Sequence, residues 1–393
     1  MNNERWLLPE GIEELLPPQA ERLEQLRRVV LDLFRSWGYE LVTPPLVEYL
    51  ESLLTGVGND LDVQTFKLTD QLNGRTLGVR ADITPQVARI DAHRLSGRKT
   101  PVRLCYQGTV LHTRGDGLGG SRSFTQVGAE LYGHRGVESD AEMVNLMLDT
   151  LALTGVESVY IDLGHVGIFR ALTQAAELDA QQESQLFDAL QRKAVPEIQN
   201  LLAALSLDSD TRQAFEELVW LNGGVEVLGK ARLTLKGNTA ALHALDEVEQ
   251  VAQRVNRHQP DLQLHFDLAE LRGFHYHTGV VFAAYQTGQG RAIAQGGRYD
   301  DIGEVFGRAR PATGFSADLR ALAMLSVNNV FVEASVFAPA NDSPDLIEKV
   351  RELRMAGQRV VCELPGQNGG AIDAGCQQVL VMKNGQWCVT DTS

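Results

Sequence analysis

The chain has 393 residues, 44% of them hydrophobic and 22% charged, which is enough for two or three domains of an ordinary globular protein. Its 36 basic and 51 acidic side chains give a formal net charge of -15; a surface that repels phosphates disfavours nucleic acid as a partner. The four cysteines show neither CxxC spacing nor a nearby histidine pair, so we predict no metal site, no disulfide framework and a cytoplasmic location. No cofactor is expected either. No signal peptide and no run of about 18 apolar residues is visible, so no membrane segment is expected.

The pattern of apolar residues and turn signals predicts short strands alternating with helices. In chain order, the predicted elements of the first part are a helix over 20–38, a strand over 39–54 interrupted by two prolines, strands over 65–70 and 74–82, a helix over 84–96, a hairpin of 103–111 with 123–133, a helix over 139–155 and a strand over 159–164. A helical insertion over 168–256 is followed by strands over 262–273, 276–285 and 291–297 and a helix over 315–325. The last part reads as strand, helix, strand, strand over 330–340, 344–357, 358–366 and 377–391.

This order predicts two domains, a core over 1–325 that contains the insertion and a small α/β appendage over 326–393. Ser139 and Glu142 have the spacing of a capping box, which would start the helix over 139–155.

A glycine-rich loop lies between the two strands of the hairpin. Residues 115–120 satisfy GxGxxG spacing, but the dinucleotide fingerprint needs a helix after its last glycine. Here the following residues alternate like a strand, so the Rossmann interpretation fails. A plain flexible hairpin loop is the alternative that the residues themselves favour.

Four separated segments carry a family resemblance: VRADITPQVAR, YQGTVLHTRGDGLGGSRSFTQVGAELYG, ELRGFHYHTGVVF and QGGRYDDIGEVFGRARPATGF. In this order they resemble the catalytic core of histidyl-tRNA synthetase, and the resemblance covers roughly residues 10 to 325. It implies an α+β fold of the class II aminoacyl-tRNA synthetase type, with an antiparallel sheet flanked by helices. The helix over 20–38 with TPPLVEYLESLL resembles motif 1, which packs the dimer interface in that family.

The resemblance also implies a histidine pocket. The residues that match the family's amino-acid ligands are Asp82, Thr84, Gln126, Glu130, Arg272, Tyr276 and His277. Carboxylate and amide acceptors suit an ammonium group, and a further carboxylate can orient an imidazole N–H. His277 replaces a tyrosine of the family, which puts histidine affinity in question.

Three matching positions depart from the family's ATP site. His112 stands where a phosphate-binding arginine is expected, Arg114 stands in place of a glutamate, and Ala321 replaces the arginine of motif 3. Because phosphoryl and adenylyl chemistry needs fixed cations where charge develops, we predict no catalytic residue and no aminoacyl-adenylate formation. Arg320, beside Ala321, leaves some room for an alternative cation.

A synthetase-like core without ATP arginines, followed by a truncated anticodon-binding domain with little basic charge, is similar to the regulatory subunits of ATP phosphoribosyltransferase. The resemblance implies a non-catalytic chain that activates a short-form catalytic subunit in the first step of histidine biosynthesis and mediates feedback by L-histidine. It further implies a homodimer within a hetero-oligomer.

Two other functions stay open at this point: an active histidyl-tRNA synthetase, and a free-standing histidine-binding sensor. The carboxylates and arginine of the predicted pocket could also form a buried ionic network without a ligand. Residues 296–300 are interpreted as a structural turn.

Overall fold

The structure is a computed structural model that describes residues 6–55, 59–115, 120–271, 273–274, 276–326 and 334–392. The chain divides into two compact units, Met1–Val327 and Asn328–Ser393. Among the described residues, no helix combines the length and the apolar character that crossing a membrane requires.

The first unit consists of one large sheet, one small sheet and the helices packed on them. Its strands are β1 (Glu40–Leu41), β2 (Val47–Tyr49), β3 (Phe66–Thr69), β4 (Thr76–Val79), β5 (Val102–Leu111), β6 (Ser123–Tyr132), β7 (Val159–His165), β8 (Asn222–Gly223), β9 (Gln263–Asp267), β10 (Val280–Gln286), β11 (Ala294–Arg298) and β12 (Ala312–Asp318). Its helices are α1 (Gln19–Ser36), α2 (Leu50–Leu53), α3 (Asn59–Gln64), α4 (Thr84–His93), α5 (Val137–Leu153), α6 (Val166–Ala175), α7 (Ala180–Gln191), α8 (Val195–Ala203), α9 (Ser209–Leu218), α10 (Glu226–Thr234), α11 (Thr239–His258) and α12 (Leu319–Leu325).

The large sheet has the strand order β1-β5-β6-β12-β11-β10-β7-β9-β8. All its pairings from β5 to β7 are antiparallel, as the class II-like fold predicts. The three-stranded sheet has the order β2-β4-β3, and the turn at Gly74, with φ of +75°, joins β3 to β4.

Helix α1 is amphipathic, as its sequence predicts. It buries Leu26, Val30 and Phe34 at helical spacing, and the Phe34 ring meets Phe315 of β12 edge to face. Gly38, with φ of +84°, follows the helix at the position where the sequence predicts the stop.

The region between β7 and β9 is helical, in agreement with the sequence, and consists of α6 to α11 with the two-residue strand β8. The first of these helices is capped by His165, whose Nδ1 accepts a hydrogen bond from Gly167 N, while Nε2 lies 2.8 Å from Glu247 Oε2 of α11. Helix α11 buries an alanine–leucine–valine face and packs on both α5 and α6. The helical region therefore shares the core of the first unit.

In its described residues, 334–392, the second unit is a four-stranded sheet with one helix. It contains β13 (Val336–Ala338), α13 (Pro344–Met355), β14 (Val360–Cys362), β15 (Gln378–Lys383) and β16 (Gln386–Asp391), and its strand order is β14-β13-β15-β16. The Ser343 side chain caps α13 by accepting a hydrogen bond from Leu346 N at 3.4 Å, as the Ser-Pro pair predicts. Residues 330–333 of the predicted strand lie outside the described residues.

Several predicted boundaries are wrong. Residues 315–318, predicted as the start of a helix, belong to strand β12, because this strand pairs on both sides with β6 and β11. The Asp318 side chain accepts from Arg320 N, and helix α12 starts at Leu319. The predicted strand over 39–54 ends in helix α2.

The predicted capping box of Ser139 and Glu142 does not form. Helix α5 begins at Val137, and Ser139 Oγ donates to Gly136 O at 2.8 Å. Glu142 instead accepts two hydrogen bonds of 2.7 Å from the Arg103 guanidinium.

A buried ion pair joins β11 to α5. Arg298 Nη2 lies 2.9 Å from Asp140 Oδ2, and the two side chains are 8% and 1% exposed. Burial raises the pKa of Asp140, and the Arg298 charge offsets part of that rise. The ion pair gives Arg298 a structural role, but the predicted turn over 296–300 is wrong in part, because residues 296–298 belong to strand β11 and pair with β12.

We predict that Arg298→Met lowers the free energy of unfolding by about 3–5 kcal/mol, because the Asp140 charge would stay buried without its partner. Arg28→Met is the matched control: Arg28 pairs with Glu24 on the surface, and its loss should cost no more than about 1 kcal/mol. Urea denaturation of both variants measures the difference; equal, small losses would contradict the structural importance of the buried pair.

Candidate functional site

The strand register aligns three glycines in a row across the large sheet, next to Glu130 and interrupted by Val281. Glu130 of β6 pairs with Gly314 of β12, and Gly314 pairs with Gly297 of β11. The row continues to Val281 of β10 and Gly164 of β7. A Cβ atom on Gly314 would lie 1.6 Å from Glu130 Oε2, so the carboxylate occupies the space that any side chain at 314 would need.

The Glu130 carboxylate is held by hydroxyl groups from three parts of the chain. Thr84 Oγ1, at the start of α4, donates to Oε1 at 3.0 Å, and the Tyr106 hydroxyl of β5 donates to the same oxygen at 3.1 Å. The Tyr299 hydroxyl donates to Oε2. Glu130 is only 1% exposed, so these bonds replace water around it.

Burial raises the pKa of the Glu130 carboxyl to about 8, and the hydrogen bonds from Tyr299 and Thr84 offset only part of that rise. While the cavity is empty, burial therefore favours the protonated form of this carboxyl more than in an exposed glutamate. A cationic group placed beside it would favour the ionised form.

Asp82, Thr84 and Gln126 form a second group beside the carboxylate. Gln126 Nε2 donates to Asp82 Oδ1 at 2.7 Å, and Gln126 Oε1 accepts from Ile83 N at 2.9 Å. Thr84 N also donates to Asp82 Oδ1, at 3.0 Å. The amide thus fixes the Asp82 carboxylate at the N-terminal end of α4.

Tyr276 and His277 lie over the row of glycines. Their ring centroids are 4.1 Å apart; Tyr276 is 45% exposed and His277 is buried. A Cβ atom on Gly297 would lie 2.9 Å from His277 Nε2, which places the imidazole directly above β11. Arg170 Nη2 donates to the backbone oxygen of His277 at 3.2 Å and so helps to hold this segment.

These groups enclose a cavity of about 330 Å³, at the small end of the range for ligand pockets. Asp82, Glu130, Asp162 and Glu270 line it, and the described lining residues include no lysine or arginine. Asp162 Oδ1 lies 2.9 Å from His265 Nδ1. A cavity with this lining suits a small ligand that carries cationic or N–H donor groups.

The structure brings together six of the seven predicted pocket residues. Five of them line the cavity: Asp82, Thr84, Glu130, Tyr276 and His277. Gln126 lies behind the lining and donates a hydrogen bond to Asp82. The seventh, Arg272, lies outside the described residues. The described part of the chain contains no group of three or more side chains arranged to hold a metal ion.

The predicted ATP-site positions make other contacts. His112 Nε2 lies 2.9 Å from Ala81 O, and its ring packs on Phe124 with centroids 4.7 Å apart. Arg114 is exposed on the hairpin loop. Arg320 forms an ion pair with Glu13, so it does not stand as a free substitute for the motif 3 arginine at Ala321.

Tyr106 and Tyr299 are the contacts that sequence reasoning missed. The hairpin register gives a signal for Tyr106. With Leu111 opposite Ser123, Tyr106 lies opposite Gly128, so Tyr106 is a diagonal neighbour of Glu130 across the strand pair. No comparable signal exists for Tyr299, which reaches Glu130 from the turn after β11.

Comparison with known proteins identifies the family. The histidyl-tRNA synthetase family model matches residues 11–322, and the model of the ATP phosphoribosyltransferase subunit HisZ C-terminal domain matches residues 333–390. The chain is 58% identical over 393 residues to the ATP phosphoribosyltransferase regulatory subunit of Thioalkalivibrio sulfidiphilus, with 99% of each chain covered. The chain belongs to the family of ATP phosphoribosyltransferase regulatory subunits.

Other relatives support this family. The regulatory subunit of Methylococcus capsulatus is 56% identical over 391 residues, covering 98% of this chain and 96% of the relative. A solved ATP phosphoribosyltransferase regulatory subunit/histidyl-tRNA synthetase from Bacillus halodurans superposes with a TM-score of 0.84 at 28% identity, covering 95% and 97% of the two chains. Histidyl-tRNA synthetase from Nostoc, at 20% identity and a TM-score of 0.78 over 98% of this chain and 97% of that one, shares the fold. The predicted class II-like fold is confirmed.

We predict a pH-dependent difference in stability between the wild type and Glu130→Gln. The Glu130 carboxyl has a pKa of about 8 in the folded chain and about 4.5 in the unfolded chain. Its protonation therefore stabilises the folded wild type fully below pH 4.5. This stabilisation is lost as the pH rises through 8, by at most about 1.4 kcal/mol per pH unit. The glutamine variant cannot titrate, so its free energy of unfolding should rise relative to the wild type between pH 5 and pH 8.

Urea denaturation at several pH values measures this difference, and the exposed Glu157→Gln is the matched control for the change in formal charge. A constant difference between Glu130→Gln and the wild type across this window would show that Glu130 is ionised in the folded chain throughout.

Proposed function

We propose that the cavity above Glu130 binds histidine and that this binding controls a catalytic partner. Family membership makes the chain a non-catalytic regulatory subunit of ATP phosphoribosyltransferase, which acts in histidine biosynthesis, and implies a catalytic subunit as its partner. The predicted regulatory function is therefore confirmed at the level of the family, while histidine as effector is the proposal.

One observation supports histidine most strongly: a fully buried carboxylate faces a small, acid-lined cavity. Histidine presents an ammonium group and an imidazole N–H, which are donors that Asp82 and Glu130 can accept. Glu130 would release its proton when such a donor arrives, because a neighbouring positive charge lowers a carboxyl pKa.

Control of the partner requires that histidine bind two states of the complex with different affinity. A coupling of about 1–3 kcal/mol is typical of such effects. We infer that the chain favours the competent state of a short-form catalytic subunit and that histidine shifts the complex toward a less active state.

We further propose a homodimer within the hetero-oligomer. Leu41 of the edge strand β1 and Leu46, Val47 and Leu68 around the small sheet are all exposed. Exposed apolar residues that cluster on a surface are typical of a region that another chain covers. Of these residues, Leu46 and Val47 lie in the segment 43–54 that resembles motif 1. The domain roles, with a binding core and a small C-terminal appendage, and the cytoplasmic location stay predictions.

We predict that Glu130→Ala abolishes detectable histidine binding and that Glu130→Gln weakens it about 10- to 150-fold, the range expected when a hydrogen bond to a charged group is lost. Isothermal titration calorimetry with histidine measures the affinity. Activity of the complex with the catalytic subunit, at increasing histidine concentrations, measures inhibition. Glu157→Gln should keep wild-type values in both assays.

If the same histidine concentration inhibits the complex with Glu130→Gln and the complex with the wild type, the effector site lies elsewhere. If the wild-type chain does not change the activity of the catalytic subunit at any histidine concentration, the regulatory role itself would be contradicted, whatever the effector is.

A further inference from the structure

The segment between β9 and β10, residues 268–279, forms one wall of the cavity above Glu130 and is named here the wall segment. Glu270, Tyr276 and His277 of this segment line the cavity, while strands of the large sheet line its floor. The described residues of the wall segment form turns and belong to no helix or strand. The Tyr276 and His277 rings therefore keep their place over the sheet only as far as contacts from other elements hold this segment.

A turn closed by Gly273 gives the wall segment its shape. The Gly273 carbonyl accepts hydrogen bonds from Tyr276 N at 2.9 Å and from His277 N at 2.8 Å. Gly273 has φ of +65°, and a Cβ there would lie 2.6 Å from His277 Nδ1, so the imidazole occupies space that only glycine leaves open. These bonds lie inside the segment. They fix the shape of the turn rather than its position over the cavity.

Arg170 of α6 fixes the position of this turn. Its Nη2 donates to Phe274 O and to His277 O, both at 3.2 Å, and its Cζ lies 4.9 Å from the centre of the Phe274 ring. A guanidinium at this distance from an aromatic ring adds a cation–π attraction to the two hydrogen bonds. One side chain of the helical region thus holds both ends of the turn 274–277.

The Phe274 ring extends the contact into the helical region. It is 5% exposed, and its centroid lies 5.3 Å from that of Phe169 of α6 and 5.2 Å from that of Phe187 of α7. The Phe169 ring in turn meets Phe215 of α9 edge to face at 6.2 Å. Aromatic pairs at these distances attract one another beyond the effect of burial. Two helices therefore hold Phe274 directly, and a third supports them.

Lys193, between α7 and α8, contacts the start of the wall segment. Asp267, the last residue of β9, is 9% exposed; its Oδ1 accepts from Ala269 N at 3.0 Å, and its Oδ2 lies 2.9 Å from Lys193 Nζ. Lys193 has φ of +50°, a conformation in which glycine is the ordinary residue, but glycine has no side chain to form this ion pair. The helical region therefore contacts the wall segment at its beginning and near its end.

We propose that Arg170 and Lys193 are positioning residues, through which the packing of the helical region sets the affinity of the cavity for its ligand. The proposal rests on the histidine site proposed above and adds how that site is regulated. Repacking of α6 to α9 displaces the Tyr276 and His277 rings, because their segment has its contacts in those helices. A displaced wall must be reordered before it binds a ligand, and this lowers the affinity. Coupling between binding and packing is reciprocal, so a ligand held by the two rings stabilises the packing of the helical region by the same factor.

Isothermal titration calorimetry of the full chain with histidine tests the proposal. Arg170→Met removes the guanidinium and keeps an apolar side chain beside Phe274; we expect it to weaken histidine binding about 5- to 150-fold, the usual range of coupling between sites. Arg170→Lys keeps a charge at this position and should restore part of the affinity. Lys193→Met changes a half-exposed side chain and should weaken binding as well. Arg192→Met is the matched control, because Arg192 lies in the same region and pairs with Glu197 at the surface; it should keep wild-type affinity.

Hydrogen exchange separates positioning from a purely structural role. Without ligand, Arg170→Met should speed exchange at the Tyr276 and His277 amides, while exchange in β10 and β11 stays at the wild-type rate. Saturating histidine should slow exchange in α6, α7 and α9 of the wild type. This protection should be lost in Arg170→Met and kept in Arg192→Met.

Histidine affinity at the wild-type value in both Arg170→Met and Lys193→Met would overturn the proposal, and so would an equal loss of affinity in Arg192→Met. If the wild type does not bind histidine, the histidine site itself is contradicted, and exchange without ligand then decides the positioning role. In that case, unchanged exchange at the Tyr276 and His277 amides in both variants would overturn it, and faster exchange would support it. Should Arg170→Met not fold, Lys193→Met carries both measurements.

Discussion

The structure of the candidate site depends on one buried carboxylate. Glu130 lies above a glycine in the middle of the large sheet and is held by hydroxyls from α4, β5 and the turn after β11. Because a buried carboxyl is costly to leave without partners, these three elements must keep their relative positions. The row of glycines, the three hydroxyl donors and the cavity above them therefore depend on one another for their positions.

Local patterns in the sequence predict most of the elements of this fold. Helical spacing and Gly38 define α1, and alternation with an Asn-Gly turn defines β3 and β4. Strand β12 was missed because small residues with one phenylalanine give little periodic signal, and its identity depends on pairing with β6 and β11, which are distant in sequence. The predicted capping box does not form because the Glu142 carboxylate accepts hydrogen bonds from Arg103 of β5 instead.

The candidate site could be predicted only through resemblance. Asp82, Gln126 and Glu130 are ordinary polar residues in the sequence, and nothing in their spacing shows that they converge. Convergence follows from strand order, which places β12 between β6 and β11 and brings Tyr299 to the carboxylate. The burial that raises the pKa of Glu130 is likewise a property of the assembled sheet, so no local pattern could reveal it.

The two ends of β6 differ in how firmly their surroundings are held. Arg122 and Glu130 are eight residues apart, which is about 26 Å along an extended strand. At that separation, and with no partner shared between the contacts described for them, the free-energy effects of changes at the two ends should add. The arginine end is enclosed by a segment held by a few surface hydrogen bonds and one ion pair, whereas the carboxylate end is fixed by buried hydroxyls. A chain with a synthetase-like fold therefore holds an acid-lined cavity rigidly at one end of β6, while the other end is contacted by a segment that surface bonds hold.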